Sequence, residues 1–124
     1  MRTVEIGWQR YTKVVAVDEK GSGNANHSYQ VEEAHPQMTD VEGNGRTLGV
    51  VSFQNGPIKE AGINGVMNED LIVMILDRLE GFQTSPFKCR ENAIAITKLE
   101  EALLWLNKRT LDRERRNVEG THTV

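Results

Sequence analysis

The sequence predicts an α+β fold, in which a small N-terminal antiparallel β-sheet is followed by a long C-terminal α-helical hairpin that dimerises through its helices. Nine of the eleven glycines lie within the first 65 of the 124 residues, where short β-branched runs alternate with turns. The last 57 residues have the apolar spacing of helices. A chain of this length is expected to form a single domain, 1–124, with the sheet region at 1–54 and the hairpin at 55–124.

Four short runs of β-branched and aromatic residues predict the strands of the sheet. Two turn-rich segments, 19–27 and 33–46, separate them and predict surface loops. A sheet of this size has one apolar face that needs a cover, which the second half of the chain must supply. The four runs are Thr3–Trp8, Tyr11–Val17, Tyr29–Val31 and Thr47–Phe53.

Two helices of unequal length form the predicted hairpin. The first, at about 68–80, begins with Asn68 as its N-cap and stops at Gly81. The second, at about 86–116, follows Ser85-Pro86, which is typical of an N-cap and a first helical residue. At 1.5 Å per residue the second helix is about 45 Å long and the first only about 20 Å, so more than half of the second has no partner in the hairpin.

The apolar stripe of the second helix continues well beyond the end of the first. It is most simply covered by the same helix of a second copy, antiparallel about a twofold axis, so we expect a homodimer. A monomer with the sheet wrapped along the whole helix is the alternative. The stripe consists of Ile96, Leu99, Leu103, Leu104, Trp105, Leu106 and Leu111.

Composition excludes several classes of protein. Lys and Arg total 15 against 18 Asp and Glu, which disfavours a partner that is polymeric nucleic acid. The single Cys89 cannot form an internal disulfide and fits a reducing cytosol. The longest apolar run, Leu71–Leu76, is far too short for a membrane helix, and we expect no secretory signal.

No catalytic or metal-binding pattern is present in the sequence. His27, His35 and His122 lack the spacing of metal ligands, and no nucleophile elbow is found. The glycine-rich segment 21–26 lacks the last glycine of a dinucleotide fingerprint, so it predicts a flexible loop, with a lid over a ligand as the alternative. We therefore expect no enzyme activity, no metal and no cofactor.

A row of arginines follows one face at the end of the second helix. Arg109, Arg113 and Arg116 are spaced i, i+4 and i+7, although part of this charge is the usual complement to the helix dipole. Three planar guanidinium groups on one face suit a compact polyanion such as a pyrophosphate. Asp112 and Glu114 beside them would repel a nucleic-acid backbone.

The turn of the hairpin has the residues of a nucleobase site. Phe82 follows Gly81, where a side chain tends to face outward, and Asn92 lies near it with an amide that both donates and accepts hydrogen bonds. An aromatic ring can stack on a base while the amide binds the edge of that base. Phe87 is better explained as a hydrophobic contact that joins the two helices.

These residues resemble the helical-hairpin domain shared by the Thoeris anti-defence protein 1 family and a family of anti-CBASS phage sponges. The resemblance covers about residues 53–121, and the β-rich N-terminal half is similar to the Thoeris branch. The matching residues are Gly56-Pro57-Ile58, Glu60, Gly62, Asn64-Gly65, Arg78-Leu79, Phe82-Gln83, Phe87, Cys89-Arg90-Glu91-Asn92-Ala93, Ala102-Leu103, Leu106, Arg109-Thr110, Arg113, Arg116 and Val118-Glu119-Gly120-Thr121.

The resemblance implies a phage protein that acts in the cytoplasm of the host bacterium. It would bind a cyclic ADP-ribose isomer, glycocyclic ADP-ribose, that a TIR-domain enzyme makes on infection, and sequester it without cleaving it, so that the immune effector stays inactive. Members of the family bind this ligand in two pockets per dimer. Some assemble into hexamers, trimers of dimers, that also bind cyclic oligonucleotides of CBASS at separate sites.

Carried over residue by residue, the resemblance assigns the adenine to Phe82 and Asn92 and the phosphates to Arg109 and Arg113. The expected ligand site also includes neighbouring polar residues and two loop residues that would help to close it: Gln83, Arg90, Thr110, Arg116, Asn26 and His27.

The spacing along the second helix constrains this site. Asn92 and Arg109 are 17 residues apart, hence about 25 Å apart along the axis, and they point in directions that differ by roughly 100°. One small ligand cannot contact both in one chain, so we expect a pocket shared between antiparallel subunits. An enzyme that hydrolyses the signal and a purely structural dimeric phage protein are the alternative functions, and the sequence leaves open the isomer bound and the choice of dimer or hexamer.

Overall fold

The α+β fold is confirmed by the structure, a computed structural model that describes residues 1–34 and 45–124. The chain forms two compact units. The first contains Met1–Gly56 and Ala61–Val66, and the second contains Pro57–Glu60 and Met67–Val124. Most of the predicted loop 33–46, with His35, lies outside the described residues.

In its described residues, the first unit is built on an antiparallel sheet of four strands in sequential order. The strands are β1 Arg2–Thr3, β2 Thr12–Ala16, β3 Ser28–Glu33 and β4 Thr47–Ser52. Strands of this order are the meander that short connections produce in an antiparallel sheet.

Two strand boundaries differ from the prediction by more than one residue. The first strand ends at Thr3 instead of Trp8, and at Gly7, whose φ is +78°, the chain has left the extended region. The third strand is longer than predicted and extends to Glu33, because its polar end pairs with β2, where Lys13 lies 3.8 Å from Glu32. Alternation of apolar residues alone could not reveal a strand end stabilised by such an ion pair.

The apolar core of this unit is small. Within the described residues, Val15 and Ala16 on β2 are the fully buried apolar side chains. Tyr29 and Phe53 add an edge-to-face contact with ring centroids 5.8 Å apart. Phe53 also forms a β-bridge with Val66, which ties the segment after β4 to the sheet.

The second unit contains three helices: α1 Ile58–Ala61, α2 Asn68–Gln83 and α3 Arg90–Arg115. The antiparallel pair α2 and α3 is the predicted hairpin, whereas the short α1 was not predicted. At the start of α2 the carboxylate of Asp70 accepts a hydrogen bond of 2.8 Å from the N–H of Met67, so the helix begins one residue beyond Met67.

The boundaries predicted for the hairpin turn were wrong. Helix α2 continues through Gly81 to Gln83, since Gly81 keeps a helical conformation and its carbonyl accepts hydrogen bonds from Thr84. The hydroxyl of Ser85 donates to the carbonyl of Phe82 at 2.6 Å, so Ser85 closes α2 and does not cap α3. Cys89 is the N-cap of α3, where its Sγ accepts the Asn92 N–H at 3.4 Å.

The apolar stripe of α3 divides into two faces. Ile96, Leu99, Leu103 and Leu106 are half-buried in the hairpin. The other face remains exposed: Leu104 retains 69% and Trp105 64% of their surface, and Leu111 is exposed as well. Helix α2 likewise exposes Val73, Met74 and Ile75. Within the described residues, no helix combines the length and the apolarity that crossing a bilayer requires.

The β-bridge between Phe53 and Val66 provides a test of the first unit. A Cβ on Gly65 would lie 2.4 Å from the backbone carbon of Phe53, so Gly65→Ala should lower the free energy of unfolding by about 1 to 3 kcal/mol. Gly49→Ala is the matched control in the same unit, because a Cβ there meets no atom within 4 Å. Urea unfolding of both variants measures the difference, and equal stability would contradict this description of the bridge.

Candidate functional site

The end of α2 presents the aromatic ring that the sequence assigned to base stacking. Phe82 is partly exposed, and the Arg78 guanidinium carbon lies 5.1 Å from the centre of its ring. This cation–π contact covers one face of the ring. Arg78 is one of the residues that match the family but was not among the expected ligand residues, although its i, i+4 spacing to Phe82 indicates this contact.

Gln83 serves the turn itself. Its side-chain Oε1 accepts the N–H of Cys89 at 3.0 Å, and its Nε2 donates to the Cys89 carbonyl at 3.1 Å. Both ends of the amide are therefore engaged in joining the end of α2 to the start of α3. This occupies the amide that the sequence analysis expected in the ligand site.

Asn92 and Arg90 lie in the first turn of α3. Within the described part of the chain, the side-chain amide of Asn92 makes no hydrogen bond, and Arg90 is exposed with no ion pair. The backbone N–H of Asn92 is held by Cys89, which fixes the position from which the amide projects. Within the described residues, this end of the hairpin thus presents one aromatic ring, one unengaged amide and one unengaged guanidinium.

At the opposite end of α3, Arg109 is exposed, and its guanidinium contacts no acceptor among residues 1–34 and 45–124. Thr110 beside it donates its hydroxyl back to the Leu106 carbonyl at 3.4 Å, which leaves the oxygen lone pairs available. Lys108 is paired with Asp112 at 2.7 Å, so it is less available to an anion than Arg109.

Arg113 is in a different environment, since only 8% of its surface is exposed. The chain that follows α3 folds back over its guanidinium. Nη1 donates to the carbonyl of Thr123 at 2.7 Å, and Nη2 donates to the carbonyls of Val118 at 3.0 Å and Thr121 at 3.1 Å. Nε lies 3.5 Å from the carboxylate of Glu119.

The expected row of three available arginines is therefore not present in this conformation. Arg116 donates to the main-chain oxygen of Val124 at 2.7 Å, so the same segment also engages the last arginine of the row. Of the three, Arg109 alone presents an unengaged guanidinium within the described residues. The three arginines do follow one helix, but the sequence did not reveal that the guanidinium groups of Arg113 and Arg116 donate hydrogen bonds to main-chain oxygens.

The two ends of α3 are far apart. The helix is continuous from Arg90 to Arg115, so the 17 residues between Asn92 and Arg109 correspond to about 25 Å. Within one chain the structure brings Phe82, Arg90 and Asn92 to one end and Arg109 to the other. A ligand the size of a dinucleotide cannot contact both ends of one chain.

Asn26 and His27 belong to a hydrogen-bonded loop of the first unit. The buried Asn26 accepts a hydrogen bond from Arg2 at 2.6 Å and donates to the carbonyl of Asp18 at 2.7 Å. The His27 ring Nε2 lies 2.9 Å from the carbonyl of Ser22. Both side chains thus stabilise the loop, which contains a short 3₁₀ turn at Ser22–Asn24.

Asp18 organises this loop. Its carboxylate accepts the backbone N–H of His27 at 2.9 Å and the amide of Asn26 at 3.2 Å. The hydrogen bond from the His27 N–H is the main reason that the pKa of Asp18 lies below 3.8. No cluster of three or more potential metal ligands occurs in the described ranges, 1–34 and 45–124.

Together these features define a class of protein: a helical hairpin that follows a small antiparallel sheet, with an exposed aromatic ring near the turn and a cationic helix end. The family model of the Acb2/Tad1 hairpin domain matches residues 49–111 of this chain. The chain is also 50% identical to the Thoeris anti-defense 1 protein of Bacillus phage SBSphiJ7, over 91% of each sequence. It therefore belongs to the Acb2/Tad1 hairpin family.

The Asp18 contacts predict a pH dependence of stability. Because the pKa of Asp18 is lower in the folded state than its ordinary 3.8, the ionised group stabilises the fold above pH 3.8, and this contribution is lost as the pH falls through the folded-state pKa. The melting temperatures of wild type and Asp18→Asn should differ most well above pH 3.8 and converge as the pH falls through the folded-state pKa of Asp18. Glu19→Gln is the neighbouring control, and a difference that stays constant with pH would argue against this role.

Proposed function

We propose that this chain is a bacteriophage anti-Thoeris protein that sequesters a cyclic ADP-ribose signal, glycocyclic ADP-ribose, without cleaving it. The ligand would be the product of a TIR-domain enzyme in the cytoplasm of the infected bacterium, and its removal would keep the host effector inactive. The family membership and the half-identical phage relative support the anti-Thoeris role. One observation carries the ligand assignment. The ring of Phe82 and the amide of Asn92 lie at one end of the hairpin, and the guanidinium of Arg109 lies at the other.

A complete site needs two copies of the chain. In an antiparallel pair of α3 helices, the turn of one subunit lies beside the arginine end of the other, and the twofold axis produces two such sites. Phe82 and Asn92 of one subunit would then hold the adenine, and Arg109 of the other subunit the pyrophosphate. Arg90 and Thr110 lie close in sequence to Asn92 and Arg109 on α3 and are further candidates for polar contacts.

The exposed apolar residues of the hairpin support this dimer. Leu104, Trp105 and Leu111 are exposed on α3, where Arg109 lies one turn beyond Trp105, and Met74 on α2 adds to the exposed apolar surface. Large apolar side chains exposed in such number on one hairpin are typical of a surface that another protein covers. A second copy of the chain would cover these apolar residues and complete the pocket at the same time.

The expected contacts have the strength that capture of a dilute signal requires. A charge-assisted hydrogen bond to a phosphate contributes about 1.5 to 3 kcal/mol, and a stacked base contributes about 1 to 3 kcal/mol. These contributions sum to tight binding only when the binding groups are held in place beforehand. The continuous α3 and the turn closed by Gln83 provide that preorganisation.

Binding without cleavage is supported by the carboxylates near the arginines, which are engaged in ion pairs. Asp112 pairs with Lys108 at 2.7 Å and with Arg115 at 3.7 Å. The hydrogen bond from Lys108 holds the pKa of Asp112 below its ordinary value, so this group stays ionised and is a poor general acid. Glu119 faces Arg113.

Subunit exchange tests the shared pocket. Asn92→Ala and Arg109→Ala homodimers should each lose most of their affinity for glycocyclic ADP-ribose. A mixture of the two should recover binding, because one of the two pockets of each heterodimer contains no substitution. Calorimetry of the mixture measures this recovery. Arg115→Ala, whose partner is Asp112, is the control expected to bind like wild type, and a mixture that recovers no binding would contradict sharing.

Recovery of the ligand tests sequestration against hydrolysis. The protein is incubated with one equivalent of glycocyclic ADP-ribose and heat-denatured, and the supernatant is analysed by HPLC. We expect intact ligand in stoichiometric amount and restored activation of a Thoeris effector by that supernatant. Free ligand treated in the same way is the control, and conversion to a linear product would identify an enzyme instead.

A further inference from the structure

In the conformation described, the guanidinium of Arg113 has too few free N–H donors to bind a phosphate through two parallel hydrogen bonds. A guanidinium has five N–H groups, and a phosphate is best bound by two of them along one edge. Both N–H groups of Nη2 and one of Nη1 are donated to main-chain carbonyls, and Nε faces Glu119. Each edge of the fork thus has at least one donor already engaged.

The segment that occupies Arg113 is anchored independently of it. We call residues 118–124 the strap. Its Gly120 carbonyl accepts the backbone N–H of Lys59 at 3.0 Å, and Nδ1 of His122 lies 2.6 Å from the carboxylate of Glu60. Both partners belong to α1, so the strap stays attached when Arg113 leaves it. The guanidinium of Arg113 can therefore exchange the oxygens of the strap for those of an anion while the strap keeps its contacts with α1.

We propose that the strap competes with the anionic ligand for Arg113, and that Glu119 is the residue that sets this competition. The inference rests on the proposed function, because it concerns the arginine assigned to the phosphates of the signal. An incoming pyrophosphate replaces three neutral carbonyls and one carboxylate as the partners of the guanidinium. Glu119 then determines specificity: a ligand with strong negative charge displaces it, and a neutral nucleoside does not.

Glu119 is well placed for this role. Its Oε2 is the atom 3.5 Å from Nε of Arg113, while its Oε1 accepts the backbone N–H of Gly120 at 3.1 Å. The hydrogen bond holds the carboxylate in the turn, and the charge acts on the arginine. A glutamine can keep the hydrogen bond to Gly120 while removing the charge, so Glu119→Gln separates the two contributions.

The binding experiment uses Glu119→Gln with Asp112→Asn as its matched control. Both substitutions remove one negative charge near the end of α3, but Asp112 pairs with Lys108 and Arg115 and not with Arg113. We expect Glu119→Gln to raise the affinity for glycocyclic ADP-ribose about two- to fivefold, because loss of a partly exposed ion pair changes an equilibrium constant by about this factor. Asp112→Asn should change it by less, and the affinity for adenosine should not respond to either substitution.

Hydrogen exchange of the strap gives a second and independent measurement. Glycocyclic ADP-ribose should accelerate amide exchange in residues 118–124 of the wild-type protein, because the strap loses the donors of Arg113. Inorganic pyrophosphate at constant ionic strength should do the same, and adenosine should not. The exchange of α1 should stay unchanged if its contacts with the strap persist.

The outcomes separate this inference from the proposed function. Unchanged or lower affinity in Glu119→Gln, or a strap that becomes more protected on binding, would show that the strap orients Arg113 and does not compete with the ligand. That result leaves sequestration intact. If glycocyclic ADP-ribose does not bind the wild type, the proposed function is wrong, and the exchange measured with pyrophosphate still decides for or against competition.

Discussion

The continuity of α3 is the constraint on which the rest of the hairpin depends. A helix of 26 residues spans about 39 Å, and its backbone hydrogen bonds prevent its two ends from approaching each other. Phe82 and Asn92 at one end and the guanidinium of Arg109 at the other therefore cannot converge within one chain. In the proposed antiparallel dimer, the same rigid helix would fix the distance between the two halves of each site.

In the proposed dimer, stability and ligand binding would be linked through the same helices. The first unit has only Val15 and Ala16 as fully buried apolar residues within the described chain, and the hairpin exposes Trp105 and Leu104. Small units that bury so little apolar surface are marginal alone, and association adds the missing burial. A surface that gains stability by pairing would keep the pocket assembled in the absence of ligand, so little of the binding free energy would be spent on assembly.

The sequence predicted those features that depend on local pattern. Helical spacing predicted the existence of α2 and α3. Within the described residues, Phe82 and Arg109 are exposed and Asn92 is half-buried; the Asn92 amide and the Arg109 guanidinium are unengaged, whereas Arg78 lies against the ring of Phe82. The sequence could not predict the engagement of Gln83, because its partner Cys89 is six residues away and the contact exists only after the turn has formed. The start of α3 was misplaced for a similar reason, since the hydroxyl of a serine can close one helix as well as begin the next.

Arg109 and Arg113 show most clearly why charge spacing does not determine function. The two residues share a helix face and differ by about 6 Å along the axis. What separates them is the turn after α3, where Asn117 adopts a φ of +58° and directs the chain back over the last turn of the helix. Carbonyls reach Arg113 but not Arg109. The two arginines are thereby divided into one that is available at once and one that the protein's own backbone holds, and under the proposed competition only a ligand of sufficient charge would contact both.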